Sequence, residues 1–353
     1  MSPDRALQVV VPEGIDDPTR PSGGNTYDRR LCRGLGTLGW AVRMRPVAGG
    51  WPWAGEAARH RLGETLGAIP DGALVLVDGL VASAVPEVMV PESRRLRLVV
   101  LLHTPIGARD AGGREPESAV LRAAAAVVTT SEWTRGWLRE AYGLDPAMLH
   151  VAVPGVDAAD PTAGSDTGRN LLCVGAVTAW KGHDVLLAAL AGLVDFDWHC
   201  VCVGSLTKAP DFVDGLFHDI KQAGLDDRFE LAGPRTGREL EASYAAADLL
   251  VLPSHGETYG MVVTEALARS LPVLATRAGG VPEALGELPD GRVPGLVVPP
   301  GDVAALAAAV TRWLSEPSLR DELRGAADER RHSLRGWPET ARRVAEVLAG
   351  VAA

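Results

Sequence analysis

The residue types best suited to chemistry lie in one segment, His255 to Leu267. It follows a short apolar run that ends at Pro253, and it leads into a helical pattern. That order predicts a strand-to-helix turn whose backbone N–H groups, from Thr258 to Val262, are free to bind an anion. Glu257 lies before the predicted helix and Glu265 inside it, so both carboxylates can accept hydrogen bonds from hydroxyls of one ligand. The pattern favours a ligand that carries hydroxyl groups beside phosphates, although a capped helix with two solvated glutamates would look similar.

Two glycine-rich runs differ in what they can bind. The run from Gly34 to Gly39 has the Gly-x-Gly-x-x-Gly spacing of a dinucleotide site, but it closes a predicted helix and precedes a strand, the reverse of the required order. It is interpreted as a helix C-terminus. Gly23 and Gly24 instead follow the first predicted strand and come directly before a helix, where paired glycines let backbone N–H groups approach an anion. A plain turn would show the same pattern.

These residues are carried by short apolar runs that alternate with helical patterns along nearly the whole chain, which predicts two doubly wound parallel sheets. The predicted strands are Leu7–Val11, Trp40–Arg45, Ala73–Val77, Arg97–Leu102, Ala125–Thr129, Leu149–Val153, Asn170–Val174, Trp198–Val203, Arg228–Ala232, Asp248–Pro253, Pro272–Ala275 and Gly295–Val298. The predicted helices include Asn25–Leu38, Gly55–Leu66, Glu132–Tyr142, Asp184–Leu193, Asp211–Ala223, Gly237–Ala246, Val262–Arg269, Asp302–Leu314 and Trp337–Val351. An irregular stretch over residues 158–170 indicates a linker. We therefore expect an N-terminal domain of residues 1–157 and a C-terminal domain of residues 158–336, followed by a last helix over 337–353.

Composition excludes several classes of protein. The 353 residues are 46% hydrophobic and 23% charged, as in an ordinary α/β protein and unlike a disordered one. The net charge is −10, and the acidic excess lies after residue 157. With no basic stripe, nucleic acid is not an expected partner. No apolar run approaches the roughly 18 residues of a membrane span, and no secretory signal precedes the first predicted strand, so a cytoplasmic location is expected.

The four cysteines lie inside apolar runs: Cys32, Cys173, Cys200 and Cys202. Cys200 and Cys202 would share one face of a strand, but no histidine or further cysteine follows at the spacing of a metal site. They are interpreted as buried, reduced thiols that act as small hydrophobic residues. No metal site is predicted.

The segment that carries Glu257 and Glu265 resembles the Glu-x7-Glu signature of the family 4 retaining glycosyltransferases, which have the GT-B fold. The resemblance extends over almost the whole chain and includes Gly23-Gly24, His103 at a strand end, Pro154-Gly155-Val156-Asp157, Val174-Gly175, Lys181-Gly182, Ala232-Gly233 and the helix from Trp337. It implies two Rossmann-like domains facing across a cleft, the first for the acceptor and the second for the donor, with the last helix packed back on the first. It also implies transfer of a sugar from a UDP-sugar or GDP-mannose to a hydroxyl of a small molecule, glycan or lipid-linked acceptor, with no obligatory cofactor or metal.

The resemblance also implies a role for each matching residue. Glu257 would hold the hydroxyls of the donor sugar, Lys181 the diphosphate, and His103 would lie near the reacting carbon; these three are the predicted catalytic residues. Glu265 would hold the ribose. The other predicted donor-binding residues are Gly23, Gly24, Thr258, Tyr259, Gly260, Met261, Val262, Gly233 and Pro234. No enzymic base is implied, because the leaving phosphate would accept the proton of the acceptor in the front-face mechanism attributed to this family.

The chain departs from the family pattern at Ala176, where an arginine usually follows the glycine. Lys208, or an arginine of the first domain, could replace that missing half of the diphosphate clamp. Trp51 and Trp53 are candidate acceptor contacts, with loop packing as the other interpretation. Peripheral membrane contact through a small arginine cluster, Arg94, Arg95 and Arg97, is possible but not favoured.

Two other functions stay open from the sequence. One is a non-hydrolysing nucleotide-sugar epimerase, which shares the two-domain architecture. The other is a non-catalytic nucleotide-sugar-binding protein, which the alanine at position 176 encourages. The donor base and sugar, the acceptor and the oligomeric state are not predicted.

Overall fold

The computed structural model describes residues 5–17 and 21–353. Within these ranges the chain divides into two compact units. The first comprises residues 5–17, 23–155 and 336–353, and the second comprises residues 156–335 together with Pro21 and Ser22. Each unit is an α/β structure built on its own six-stranded parallel sheet.

The sheet of the first unit has the strand order β2-β1-β3-β4-β5-β6. Its strands are β1 (Ala6–Pro12), β2 (Ala41–Val47), β3 (Leu74–Asp78), β4 (Arg97–Leu102), β5 (Ala126–Thr129) and β6 (Leu149–Val151). Its helices are α1 (Gly23–Thr37), α2 (Glu56–Gly67), α3 (Gly79–Ala82), α4 (Pro86–Glu92), α5 (Arg114–Ala123), α6 (Glu132–Tyr142) and α14 (Trp337–Ala352). Every residue of β3 and β5 is buried, because helices cover both faces of the sheet.

Helix α14 packs against α1 although more than 300 residues separate them in the chain. Gly34 permits this approach, since a Cβ atom added there would lie 2.6 Å from Cβ of Ala341. The hydroxyl of Thr340 donates to the carbonyl of Val153 at 2.8 Å, which fixes the helix near the end of the first unit's sheet. The last helix is therefore part of the first unit.

The sheet of the second unit has the strand order β12-β11-β10-β7-β8-β9. Its strands are β7 (Asn170–Val174), β8 (His199–Val203), β9 (Phe229–Gly233), β10 (Leu249–Leu252), β11 (Val273–Thr276) and β12 (Gly295–Val298). Its helices are α7 (His183–Ala191), α8 (Pro210–Gln222), α9 (Gly237–Ala245), α10 (Met261–Leu267), α11 (Val281–Leu285), α12 (Val303–Ser315) and α13 (Pro317–Arg331). Trp198 and Trp313 are the largest side chains of its core, and both are fully buried.

All twelve predicted strands are confirmed, each within two residues of its predicted bounds. The run from Gly34 to Gly39 closes α1, and Gly39 has φ 86°, as expected of a glycine that follows a helix. Helices α3, α4, α5, α11 and α13 were not predicted. Two of them, α4 and α13, begin with a proline, which resembles a break in the sequence. Proline fits the first turn of a helix, where its missing N–H group has no intrahelical partner.

Among the described residues, no helix is both long and apolar enough to cross a bilayer. Each sheet reverses its strand order next to its first strand, between β1 and β3 in the first unit and between β7 and β10 in the second. In open parallel sheets, ligands bind beyond the C-terminal strand ends at such reversal points. The loops after these four strands are therefore where the candidate site residues are expected.

Candidate functional site

The reversal point of the second unit brings together the two residues predicted to act on the donor. Lys181 lies in a short 3-10 turn after β7, and Glu257 lies in the loop after β10. The ammonium of Lys181 is 2.5 Å from Oε1 of Glu257, and both side chains are largely buried. The hydroxyl of Ser254 also donates to that carboxylate oxygen, at 2.7 Å. The carboxylate is therefore held by two donors in a fixed position.

Glycines let the surrounding backbone close on this pair. A Cβ atom on Gly182 would lie 2.2 Å from the carbonyl oxygen of Pro253, and one on Gly279 would lie 1.8 Å from that of Glu257. Both glycines also have positive φ, 70° and 55°. The next residue, Gly280, donates its N–H to the carbonyl of Glu257 at 2.9 Å. No side chain larger than hydrogen fits at these positions, so the loops after β10 and β11 are held against each other.

The turn from Thr258 to Val262 has the form predicted from the sequence. Gly260, with φ 95°, precedes the first residue of α10. In the described part of the chain, the N–H groups of Thr258, Tyr259, Gly260, Met261 and Val262 donate to no backbone carbonyl. These N–H groups therefore remain available at the C-terminal edge of the sheet to donate hydrogen bonds to a ligand oxygen.

Glu265 lies one turn into α10, and its carboxylate accepts a hydrogen bond from the hydroxyl of Tyr244 at 2.7 Å. Burial raises the pKa of Glu265, while the Tyr244 hydroxyl and the nearby Arg269 guanidinium oppose that rise. Arg269 stacks on the Tyr244 ring at 4.5 Å and makes a two-point contact with Glu241. Glu265 is therefore oriented by a layer of side chains behind it.

The remaining predicted donor-binding residues lie at neighbouring strand ends of the same sheet. Gly233 ends β9 with φ 75°, its carbonyl accepts the N–H of Gly204, and Pro234 follows it. A Cβ atom on Gly204 would lie 1.9 Å from the carbonyl oxygen of Gly175, so these loops also pack backbone to backbone. Lys181 passes beside Gly175, with Cδ 3.7 Å from the position of an added Cβ. The lysine thus approaches the strand end where the family arginine is replaced by Ala176.

In the first unit, helix α1 begins at Gly23, so Gly23 and Gly24 form the first helical turn and not a loop before it. His103 follows β4 directly. A Cβ atom on Gly24 would lie 3.2 Å from Cδ2 of His103, so the helix start rests against the imidazole ring. The structure thus brings three predicted residues together at the C-terminal edge of this sheet.

Two carboxylates that the sequence analysis did not single out lie beside this histidine. Nε2 of His103 is 2.8 Å from Oδ1 of Asp28, and Asp78, the last residue of β3, lies within 4.8 Å of both. Burial and the Asp28 charge raise the pKa of Asp78 to about 7. Burial lowers the pKa of His103, but the charge and hydrogen bond of Asp28 and the charge of Asp78 outweigh it and raise that pKa to about 9. The two carboxylates therefore favour the cationic form of the imidazole.

The two candidate acceptor residues differ in their surroundings. The indole N–H of Trp51 donates to the carbonyl of Val47 at 3.0 Å, and the ring packs against the core of the first unit. Trp53 is 52% exposed. In the arginine cluster, Arg95 donates to the carbonyls of Leu66 and Ile69, so this guanidinium is bound to its own unit. Acceptor contact by either tryptophan stays a prediction.

All four cysteines are buried free thiols, as predicted. The structure adds a neighbour that the sequence spacing did not show. Cys173 pairs with Cys202 across β7 and β8, and Nε2 of His183 lies 3.7 Å from the Cys173 sulfur. The three ligand atoms lie within 4.8 Å of one another inside the core of the second unit.

Sequence reasoning missed four supporting residues: Asp28, Asp78, Tyr244 and Ser254. Asp28 lies on the buried face of α1, and Asp78 lies 50 residues later at the end of β3. The order of the strands in the sheet brings them together. Tyr244 offered a weak signal as a buried-type aromatic residue on a mainly polar helix. Ser254 lies between the predicted strand, which ends at Pro253, and the predicted segment, which begins at His255, so neither pattern included it.

Two protein-family models match adjacent parts of the chain. The model described as glycosyltransferase family 4 matches residues 73–160, and the model described as glycosyl transferases group 1 matches residues 159–330. Their joint span contains His103, Lys181, Glu257 and Glu265. Gly23, Gly24 and Asp28 lie outside it.

Several curated relatives carry the name D-inositol 3-phosphate glycosyltransferase. The protein from Kineococcus radiotolerans is 34% identical over 259 residues, which cover 65% of this chain and 58% of the relative. The protein from Nocardiopsis dassonvillei is 32% identical over 272 residues, which cover 69% and 62%. The chain thus spans about three-fifths of the length of the curated relatives it matches.

Solved structures match the chain over nearly its whole length. Sucrose-phosphate synthase from Thermosynechococcus elongatus has a TM-score of 0.80 at 22% identity, covering 97% of this chain and 98% of that one. Anabaena HepE, solved in complex with UDP-glucose, has a TM-score of 0.78 at 20% identity, covering 98% and 99%. At these identities the likeness establishes the fold, which is GT-B.

Proposed function

The chain belongs to the glycosyltransferase family 4 of the GT-B fold, and we propose that it transfers a sugar from a nucleotide-sugar to a hydroxyl acceptor with retention of configuration. The observation that carries this proposal is the Lys181–Glu257 pair at the reversal point of the second sheet. A cation and a carboxylate held side by side suit a ligand in which a diphosphate adjoins a sugar. The ammonium would stabilise the leaving diphosphate, and the carboxylate would accept hydrogen bonds from sugar hydroxyls.

The other groups at the second sheet have matching tasks in this proposal. The free N–H groups from Thr258 to Val262 would bind diphosphate oxygens, and Glu265 would bind the ribose hydroxyls. The charge on the leaving diphosphate grows as the glycosidic bond breaks, so preorganised donors stabilise the transition state more than the bound substrate. This arrangement gives the diphosphate stabilisation without a predicted metal ion.

In the first unit, His103 with Gly23 and Gly24 would contact the donor sugar and its phosphate. A cationic imidazole donates a hydrogen bond to a sugar or phosphate oxygen and carries charge opposite to that of the leaving group. No group of the protein is assigned as the base, because the leaving phosphate would accept the proton of the acceptor hydroxyl. Trp53 is the exposed candidate for stacking on an acceptor ring.

The similarity to HepE, which was solved with UDP-glucose, makes UDP-sugars the first donors to test. The name shared by the curated relatives makes an inositol phosphate the first acceptor to test. Both family models that match describe glycosyltransferases, which disfavours the epimerase. A cytoplasmic location and the absence of an obligatory metal or cofactor remain predictions of the sequence.

The test is a two-step measurement on the purified chain. Thermal stabilisation by UDP, GDP, ADP and TDP identifies the nucleotide, because a ligand that binds only the folded state raises the melting temperature. The matching nucleotide-sugar is then incubated with candidate acceptors, and product and nucleoside diphosphate release are followed. Lys181→Ala should abolish the stabilisation and the turnover, whereas Lys221→Ala, a lysine exposed on α8, should change neither.

Three results would overturn the proposal in different ways. Full turnover by Lys181→Ala would show that the ion pair is not part of the site. Stabilisation by one nucleotide without any transfer or donor hydrolysis would favour the non-catalytic binding protein. Conversion of a nucleotide-sugar to its epimer without acceptor would favour the epimerase.

A further inference from the structure

The interior of the first unit holds three ionisable groups in contact at the C-terminal edge of its sheet. Asp28 comes from the second turn of α1, Asp78 from the end of β3 and His103 from the end of β4. Asp28 is 2% exposed and Asp78 4% exposed. Two buried carboxylates next to each other carry a large desolvation cost unless a proton or a cation compensates them.

The hydrogen bonds of this cluster leave one buried carboxylate oxygen without a donor. One oxygen of Asp28 pairs with Nε2 of His103, and one oxygen of Asp78 accepts the N–H of Leu80 at 2.8 Å. The second oxygen of Asp28, Oδ2, is buried and receives no hydrogen bond from the described residues. A proton on Asp78 would supply the missing donor, since two ionised carboxylates cannot hydrogen-bond each other and a hydrogen bond with Asp28 is one cause of the raised pKa of Asp78.

We propose that Asp28 and Asp78 are positioning residues that share one proton and hold His103 as an oriented imidazolium, with Nε2 turned inward and Nδ1 left to donate to a ligand oxygen. The ligand class is therefore an oxygen acceptor with negative charge, such as a phosphate or a developing leaving group. The kinetic part of this inference rests on the proposed function, whereas the orientation and charge of His103 can be measured without any substrate.

Other groups packed against the cluster leave its charge balance intact. Tyr27 meets the His103 ring edge to face, with 5.1 Å between centroids, and Trp337 of α14 meets Tyr27 at 5.6 Å. Burial and the Asp28 charge raise the pKa of Tyr27, and the same causes raise the pKa of Cys32, one turn further along α1, to about 12. Both stay neutral in the working range of pH, so within residues 5–17 and 21–353 the two carboxylates and the imidazole set the net charge of the cluster.

The start of helix α1 holds the His103 ring in one orientation. The ring is pressed from one side by the backbone at Gly24 and bonded on another side by Asp28, and both residues belong to α1. Rotation of the imidazole would break the Asp28 bond and leave a buried carboxylate uncompensated. The helix that presents N–H groups to an anion therefore also fixes the cation beside them.

The test is an NMR titration of the whole chain labelled in its histidine rings, with His103→Gln used to assign the resonance. We expect His103 to titrate near pH 9 in the unmodified protein, as burial is outweighed by the two carboxylates. In Asp28→Asn the anion is lost while the shape is kept, so the midpoint should fall by at least two pH units. Asp78→Asn can still donate to Asp28, so its midpoint should fall by less than one unit. His218, exposed on α8, serves as the internal reference and should not move.

The kinetic readout separates positioning from a merely structural role. Where transfer is measurable, the alkaline limb of kcat should shift to lower pH in Asp28→Asn, by the same amount as the NMR midpoint. A uniform loss of rate with an unchanged alkaline limb would overturn the positioning role. If no donor is turned over, the proposed function fails, but the NMR midpoints still decide the inference.

Two results would contradict the inference outright. Titration of His103 at or below pH 6.5 in the unmodified protein would mean that the carboxylates do not hold it charged, even if Asp28→Asn fails to fold. Loss of the His103 titration on adding Zn²⁺, with recovery by EDTA, together with a metal ion in the purified protein, would identify the cluster as a metal site instead.

Discussion

The two units of this protein hold their candidate site residues in place in different ways at corresponding strand ends. In the second unit, glycine-rich loops pack backbone against backbone, and the charges of Lys181 and Glu257 neutralise each other at 2.5 Å. In the first unit, Gly24 lies against the ring of His103, beside a buried cluster of one imidazole and two carboxylates whose charge depends on their protonation. The second unit should therefore respond mainly to changes of shape and the first mainly to pH.

The largest effect is expected where the second unit's fixed charge is removed. Glu257→Gln keeps the side-chain shape but leaves Lys181 without its anion and replaces one charged acceptor oxygen for the donor sugar by an NH2 group, which only donates. We expect kcat to fall by about 10²–10³-fold, with an unchanged melting temperature. Glu322→Gln, exposed on α13, is the matched control. Equal rates for both variants would remove Glu257 from the catalytic residues.

Glycines at which a Cβ atom would clash with the backbone should tolerate alanine much less well than glycines with open space around them. In Gly279→Ala the new methyl group would meet the carbonyl oxygen of Glu257, and φ of 55° disfavours alanine. We expect the free energy of unfolding to fall by about 2–4 kcal/mol, from the conformational cost and the displaced loop. Gly215→Ala is the control, because a Cβ there meets nothing within 4 Å inside α8. It should stabilise the protein by up to about 1 kcal/mol.

The pH response of the first unit gives the third prediction. The folded pKa of His103, about 9, lies above its unfolded value, so its stabilising contribution is full below about pH 6.5 and is lost as the pH rises through 9. The raised pKa of Asp78 adds stability that is lost between about pH 4 and 7. Urea unfolding should show a decline of roughly 1–3 kcal/mol from pH 7 to 10.

The variant to compare is Asp28→Asn. Its free energy of unfolding should fall less between pH 7 and 10, since the carboxylate that raises the His103 pKa is gone. His60→Gln is a suitable control because the His60 side chain is 74% exposed. A decline of equal size in Asp28→Asn and the unmodified protein would place its source outside the first unit's cluster.

The smallest effect should come from two matched tyrosines, one in each unit. Tyr244→Phe removes the hydroxyl that bonds Glu265, and Tyr142→Phe removes the one that bonds Glu117 at 2.6 Å. Each loss should lower stability by about 1 kcal/mol. Only Tyr244→Phe should weaken nucleotide binding, by several-fold. In this variant binding should also be lost at a higher pH on acidification, because the Tyr244 hydroxyl opposes the rise in the pKa of Glu265. Calorimetric titration at pH 5 and 7 measures both.

The strands and most helices followed from local sequence, because both sheets are covered on two faces and their strands are nearly continuous apolar runs. The Glu257–Glu265 turn was also predictable, since the strand, the turn and the helix that form it are contiguous. Helices α4 and α13 were missed because an initial proline looks the same in the sequence as a break. The start of α1 at Gly23 was missed because glycine has weak helix propensity, and the contact of Gly24 with His103 is not visible in the sequence.

The sequence by itself determined where each strand and the turn between Glu257 and Glu265 lie, because period and turn chemistry are local properties of the chain. Tertiary structure alone decided which of these residues meet. The strand order set Lys181 beside Glu257 across 76 residues and His103 beside Asp28 across 75. Burial and neighbouring charges together then shifted the pKa values of Asp78, His103 and Glu265, since the cost of a charge depends on the groups that surround it in the fold and not on its neighbours in the chain.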